Sequence, residues 1–132
     1  MTERNYHIDV IDAKGRTESC EMEVTQNGDE CTVELFHRGK IHSGTAEDFF
    51  DAMVVVRIHL EPDGYLLHCY GASKNIYPSQ MSRQSSAGRQ AYQMKMGYPA
   101  ERLVSIFDSG LDVEPATVDE QRRFYEDWLQ SL

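Results

Sequence analysis

"RTESCEMEVTQNGDECTVELF", residues Arg16 to Phe36, decides the fold. Cys20, Met22 and Val24 alternate with glutamates, the two-residue period of a strand with one face in a core and the other in water. Asn27-Gly28 follows, the strongest short hairpin signal, because its tight turn needs positive φ. Cys31, Val33 and Leu35 then resume the alternation. The stretch therefore predicts two antiparallel strands that share an apolar face. Upstream, Tyr6 to Ile11 alternates in the same way, and "DAKG" (Asp12–Gly15) makes a turn. Downstream, "HRGK" turns again and "KIHSG" supplies a short fourth strand. The first forty-odd residues thus read as a meander.

The period changes at Thr45. In "TAEDFFDAMVVVRIHL", Phe49, Met53, Val56 and Leu60 fall on one stripe, which predicts a helix over about 45–60. Thr45 and Asp48 are expected to form a capping box, with Glu47, Asp48 and Asp51 at the positive end of the helix. "YLLHCYG" (65–71) is almost continuously apolar and reads as a central strand. "AYQMKM" (91–96) fits a strand or a helical turn, Gly97 and Pro99 break the pattern, and "RLVSIFD" (102–108) reads as a further strand. The chain closes on a helix over about 118–131. Thr117 and Glu120 form its capping box, and Val118, Gln121, Tyr125, Trp128 and Leu132 share a face flanked by Phe124 and Leu129. Trp128 is its expected anchor. The fold expected is a single α+β domain over 1–132, an antiparallel sheet of about five to seven strands with both helices packed on one face.

Composition narrows the function classes. The chain has 132 residues, 40% of them hydrophobic and 10% aromatic, enough to build a core without metals or disulfides. It has no run of about 18 apolar residues, so no membrane association is expected. "MTERNYHIDVID" lacks the apolar segment of a signal peptide. Cys20, Cys31 and Cys69 form an odd set without CxxC pairing, as expected of buried reduced thiols in a cytoplasmic protein. No nucleophile elbow, phosphate-binding loop, dinucleotide fingerprint or zinc-protease motif occurs, so no catalytic residue and no cofactor is expected, and the chain reads as a non-enzyme. His37 and His42 flank a turn and could meet across a hairpin, but no third ligand is in view and no metal site is expected.

Charge is distributed unevenly. Residues 1–64 carry 14 acidic and 6 basic side chains, and residues 101–132 carry 8 and 3. Residues 65–100 hold no carboxylate and four cations (Lys74, Arg83, Arg89 and Lys95). The net charge of −9 argues against nucleic acid as a partner, which needs a basic footprint, and suits a basic protein.

The acid-free stretch is the candidate site. Residues 70–90 read as a long loop, rich in serine and hydrogen-bond donors, and such loops are usually functional. Its candidate binding residues are Lys74, Asn75, Tyr77, Ser79, Arg83 and Arg89. Three readings stay open. The stretch could complete the core through Tyr70, Tyr77, Met81 and Tyr92. It could be a recognition surface anchored by Tyr and Arg. It could also be an anion pocket of a small enzyme or ligand-binding domain, built on Lys74, Arg83 and Arg89.

Over residues 65–132, "LLHCYGASKNIYPSQMSRQ…GRQAYQMKMGYPA" and "IFDSGLDVEPATVDEQRRFYEDWL" resemble a group of small bacterial proteins associated with immunity to polymorphic and contact-dependent growth-inhibition toxins. The resemblance implies a cytoplasmic, stoichiometric binding module that occludes the active site or a functional surface of a toxin. It carries over no individual functional residue. If the partner is a basic toxin domain, the acidic first half would mimic phosphates and the Tyr/Arg-rich stretch would supply anchors. Oligomeric state is left open.

Overall fold

The computed structural model describes residues 2–132. The meander forms as alternation predicts: β1 (Thr2–Ile11), β2 (Thr17–Asn27), β3 (Glu30–His37) and β4 (Lys40–Ala46) pair antiparallel in chain order. A short β5 (Leu66–His68) joins the free edge of β1, giving the order β4-β3-β2-β1-β5. Ile8, Val10, Cys20, Met22, Val24, Cys31, Val33 and Leu35 are all buried on one face. The β2–β3 turn is centred one residue later than expected. Asn27 pairs with Glu30, and Gly28, at φ +63°, takes the first central position, where this turn needs glycine.

The inner face is covered by α1 (Phe49–Leu60), which packs on β3 and β4. Phe49, Phe50, Met53, Val56 and Leu60 are each at most 2% exposed. At about 2 kcal/mol per buried apolar side chain, this stripe contributes roughly 10 kcal/mol before chain entropy. Gly44 permits the close approach, since a Cβ there would collide with the Ala52 carbonyl and lie 2.8 Å from Val55 Cβ. The expected Thr45–Asp48 box does not form. Asp48 alone is the N-cap, accepting from the Asp51 N–H at 2.8 Å. Thr45 stays in β4, where its hydroxyl lies 3.0 Å from that of Thr32.

The remaining strands build a second antiparallel sheet, β6 (Ile76–Tyr77), β7 (Gln90–Lys95) and β8 (Tyr98–Ser105), instead of extending the first. Residues 91–96 therefore lie largely in a strand. Gly97 (φ +82°) helps turn the β7–β8 hairpin, and Pro99 sits on an edge strand, where its missing N–H costs little. Beyond Ser105 the chain leaves the strand, and Ile106 and Phe107 are buried as core residues. "YLLHCYG" yields only three strand residues, at a sheet edge and not its centre. After His68 the backbone turns into a short 3₁₀ helix, and its N–H groups bond elsewhere, Tyr70 to Asp108 O at 2.8 Å and Gly71 to Ile106 O at 3.0 Å.

The closing helix α3 (Val118–Ser131) starts at the expected Thr117–Glu120 capping box. It packs against β6, β7 and α1. Trp128 is buried and donates its indole N–H to Tyr98 O at 2.8 Å. Leu129 and Leu132, expected at or beside the docking face, remain 48% and 62% exposed. At that end the helix meets the tip of the β7–β8 hairpin, where the Gly97 N–H donates to Ser131 Oγ. The fold is α+β, with eight strands in two antiparallel sheets.

Candidate functional site

The acid-free stretch is not an open loop. It folds into the 3₁₀ turn Tyr70–Ala72, the strand β6 and a short helix α2 (Gln80–Ser85). Of its six candidate residues only Tyr77 and Arg83 meet, the guanidinium 5.9 Å from the Tyr77 ring centre, and they do not form one pocket with the rest. Lys74 sits with Nζ 5.6 Å from the centre of the Phe124 ring, and Asn75 accepts from the Ser73 hydroxyl at 2.7 Å. Tyr77 stacks on Tyr125 with ring centres 4.2 Å apart and meets the Phe50 ring edge-on. Ser79 caps α2, accepting from the Ser82 N–H. Arg89 lies over Phe49, 4.4 Å from the ring centre, and donates to Gln26 Oε1 at 3.1 Å. Met81, expected with the tyrosines in a core reading, is 73% exposed.

Arg83 has a structural role as a counter-ion. Its Nη1 lies 2.8 Å from Asp48 Oδ2 and 2.9 Å from Asp51 Oδ1, so it neutralises the acidic start of α1. Both ion pairs hold the guanidinium protonated against the opposing effect of its burial. The turn after α2 closes on the same helix end, as the Ala87 carbonyl accepts from the Phe49 N–H at 2.8 Å. Gly88, at φ +72°, lets this turn approach, since a Cβ there would lie 2.9 Å from the Asp48 side chain. The stretch thus acts as counter-ion and cap to the acidic first half.

Between these elements opens a cleft of about 730 Å³, walled by Asp29, Glu47, Asp48, Asp51 and Arg83. Four carboxylates against one engaged cation make it electronegative. An anionic ligand would meet repulsion there.

The most acidic surface is the outward face of the five-stranded sheet. Glu3 and Asp9 on β1, Glu21 and Glu23 on β2, and Glu30 and Glu34 on β3 belong to rows that alternate with the buried ones. Among the described residues, the outward rows of β1 to β4 contain no Lys or Arg. Glu23 lies directly opposite Glu34, an arrangement of like charges that weakens a sheet. Desolvation, followed by the charges of Glu21, Glu3 and Glu34, raises the Glu23 carboxyl above the usual glutamate value. Alternation shows this row in the sequence. Its concentration on one face follows from the register.

His37 and His42 do come near each other, with ring centres 6.3 Å apart. Cys20, Cys31 and Cys69 are free and buried. No helix among the described residues is long and apolar enough to cross a membrane. No family model matches the chain, and no curated protein matches it.

Proposed function

We propose that this chain is a stoichiometric protein-binding module that neutralises a basic bacterial toxin domain, as an immunity protein does, by covering its active site or a functional surface. The observation that supports it is the outward face of the five-stranded sheet, whose rows on β1 to β4 carry, among the described residues, six carboxylates and no Lys or Arg, with Glu23 opposite Glu34. Like charges packed this closely destabilise the free protein, and a basic partner would relieve them on binding. The electronegative cleft at Asp48 and Asp51 extends the acidic character toward the α1 end of the molecule. The resemblance over residues 65–132 points to the same class of protein. The anion-binding alternative has less support, because Lys74, Arg83 and Arg89 are dispersed, each against a partner of its own.

Co-production with the products of adjacent genes, assayed for toxicity, tests the reading. A one-to-one complex and restored growth are expected, both lost in the triple variant E21Q/E23Q/E34Q. Absence of binding and of protection, or full protection by the triple variant, rules the reading out.

A further inference from the structure

At the open end of the interface between the first sheet and α1, Glu18, Cys20 and His37 bring one carboxylate, one thiol and one imidazole within 4.8 Å of one another. Strand geometry produces the cluster. Glu18 and Cys20 are two residues apart on β2 and share its inner row, while Glu21 pairs with Phe36, so the next step of the register sets Cys20 across from His37. Cys20 and His37 are 5% and 4% exposed, whereas the Glu18 side chain is 42% exposed. His37 Nε2 and Glu18 Oε1 lie 2.9 Å apart, so an ion would replace the proton that now joins these two donor atoms. Two clefts flank the cluster, of about 240 and 300 Å³, one reaching Glu18 and the other His37, with Arg38 and Tyr65 lining both. Tyr65 meets the His37 ring edge-on at 4.6 Å and holds its orientation.

We infer that Glu18, Cys20 and His37 form a binding site for a tetrahedral transition-metal ion of the zinc type. Sulfur, imidazole nitrogen and carboxylate oxygen are the donors such an ion takes, and three protein ligands leave a fourth position open. The clefts give solvent a route to that position. On binding, the Cys20 S–H bond gives way to a metal–sulfur bond, and the proton leaves to solvent. Arg38, whose Nε lies 2.8 Å from Glu18 Oε1 and whose Nη1 donates to the Tyr65 hydroxyl, is the competing cation, and at 58% side-chain exposure it can give up Glu18 to the metal while staying on Tyr65. The site faces inward from the sheet, opposite the carboxylate face, so it stands independently of the toxin-binding reading.

Cobalt(II) is the probe. Added to the metal-free protein, it is expected to give a thiolate-to-cobalt charge-transfer band and tetrahedral ligand-field bands, and zinc(II) is expected to raise Tm. C20S and H37N lose the charge-transfer band and the zinc effect while keeping the wild-type circular dichroism spectrum. E18Q weakens zinc binding by ~10-fold or more, since even outer-sphere partners of a ligand are worth that much. A cobalt spectrum of the hexaaqua type with no zinc effect on Tm, or a C20S protein that keeps the charge-transfer band, overturns the inference.

Discussion

Gln121→Ala tests how the two layers are held together. Gln121 is 1% exposed on α3, and its Nε2 lies 3.0 Å from Gly71 O and 2.9 Å from both Ser73 O and Ile76 O. Its Oε1 accepts from Arg57 Nη1 at 2.6 Å. Arg57 is itself 2% exposed and donates further to Gly71 O and Ala116 O, so all its hydrogen bonds go to neutral oxygens. Burial lowers its pKa, and the Glu61 charge one turn away only partly opposes the shift. Truncating Gln121 removes a hydrogen bond to a charged group, worth about 1.5–3 kcal/mol, and takes a donor from the buried Ser73 and Ile76 carbonyls at about 1 kcal/mol each. The expected loss is about 3.5–5 kcal/mol, a large part of the ~5–15 kcal/mol that stabilises an ordinary domain. Urea unfolding followed by circular dichroism reads it as a lower midpoint at unchanged slope. Arg57→Met in the Gln121→Ala background should cost at least ~1 kcal/mol less than in wild type, because the two side chains share one network. A Gln121→Ala protein within about 1 kcal/mol of wild type would refute the reasoning.

Two further outcomes follow from the geometry. Gly44→Ala forces a methyl group into the Ala52 carbonyl and against Val55, and is expected to cost at least ~2 kcal/mol in urea unfolding. An unchanged midpoint would mean that α1 sits farther from β4. Glu23 has its folded-state pKa raised, so its charged form is disfavoured at neutral pH, and the penalty disappears as pH falls through that pKa. Glu23→Gln is therefore expected to raise Tm at pH 7, with the gain vanishing near pH ~3, where the wild-type carboxyl is protonated as well. An equal or lower Tm at pH 7 contradicts the crowding of carboxylates on this face.

Local pattern carried most of the fold. Alternation around Cys20–Val24 and Cys31–Leu35 marked the first strands, the stripe Phe49–Met53–Val56–Leu60 marked α1, and Thr117–Glu120 marked the start of α3. Longer-range features were hidden. β6 has only two residues, too few for any periodicity, so the division into two sheets was not visible. Arg83 read as a donor on a surface loop because its partners Asp48 and Asp51 lie more than thirty residues away. Arg57 breaks the apolar stripe without any sign that Gln121 awaits it. The Glu18–Cys20–His37 cluster depended on a detail of the turn. Centred on Asn27-Gly28, the hairpin would set Cys20 opposite Leu35, and only the shift to Gly28-Asp29 brings it across from His37. Helix caps and strand faces are set by neighbours in sequence, whereas counter-ions and ligand sets are set by register and packing.

If the proposed function holds, titration of a basic toxin domain from an adjacent gene with wild-type protein and with E21Q/E23Q/E34Q, across a range of salt concentrations, is the decisive measurement. One-to-one binding that weakens as salt rises is expected, and a triple variant with affinity reduced ~10-fold or more and a flatter salt dependence. Equal affinity and equal salt dependence for the two proteins would contradict the proposal.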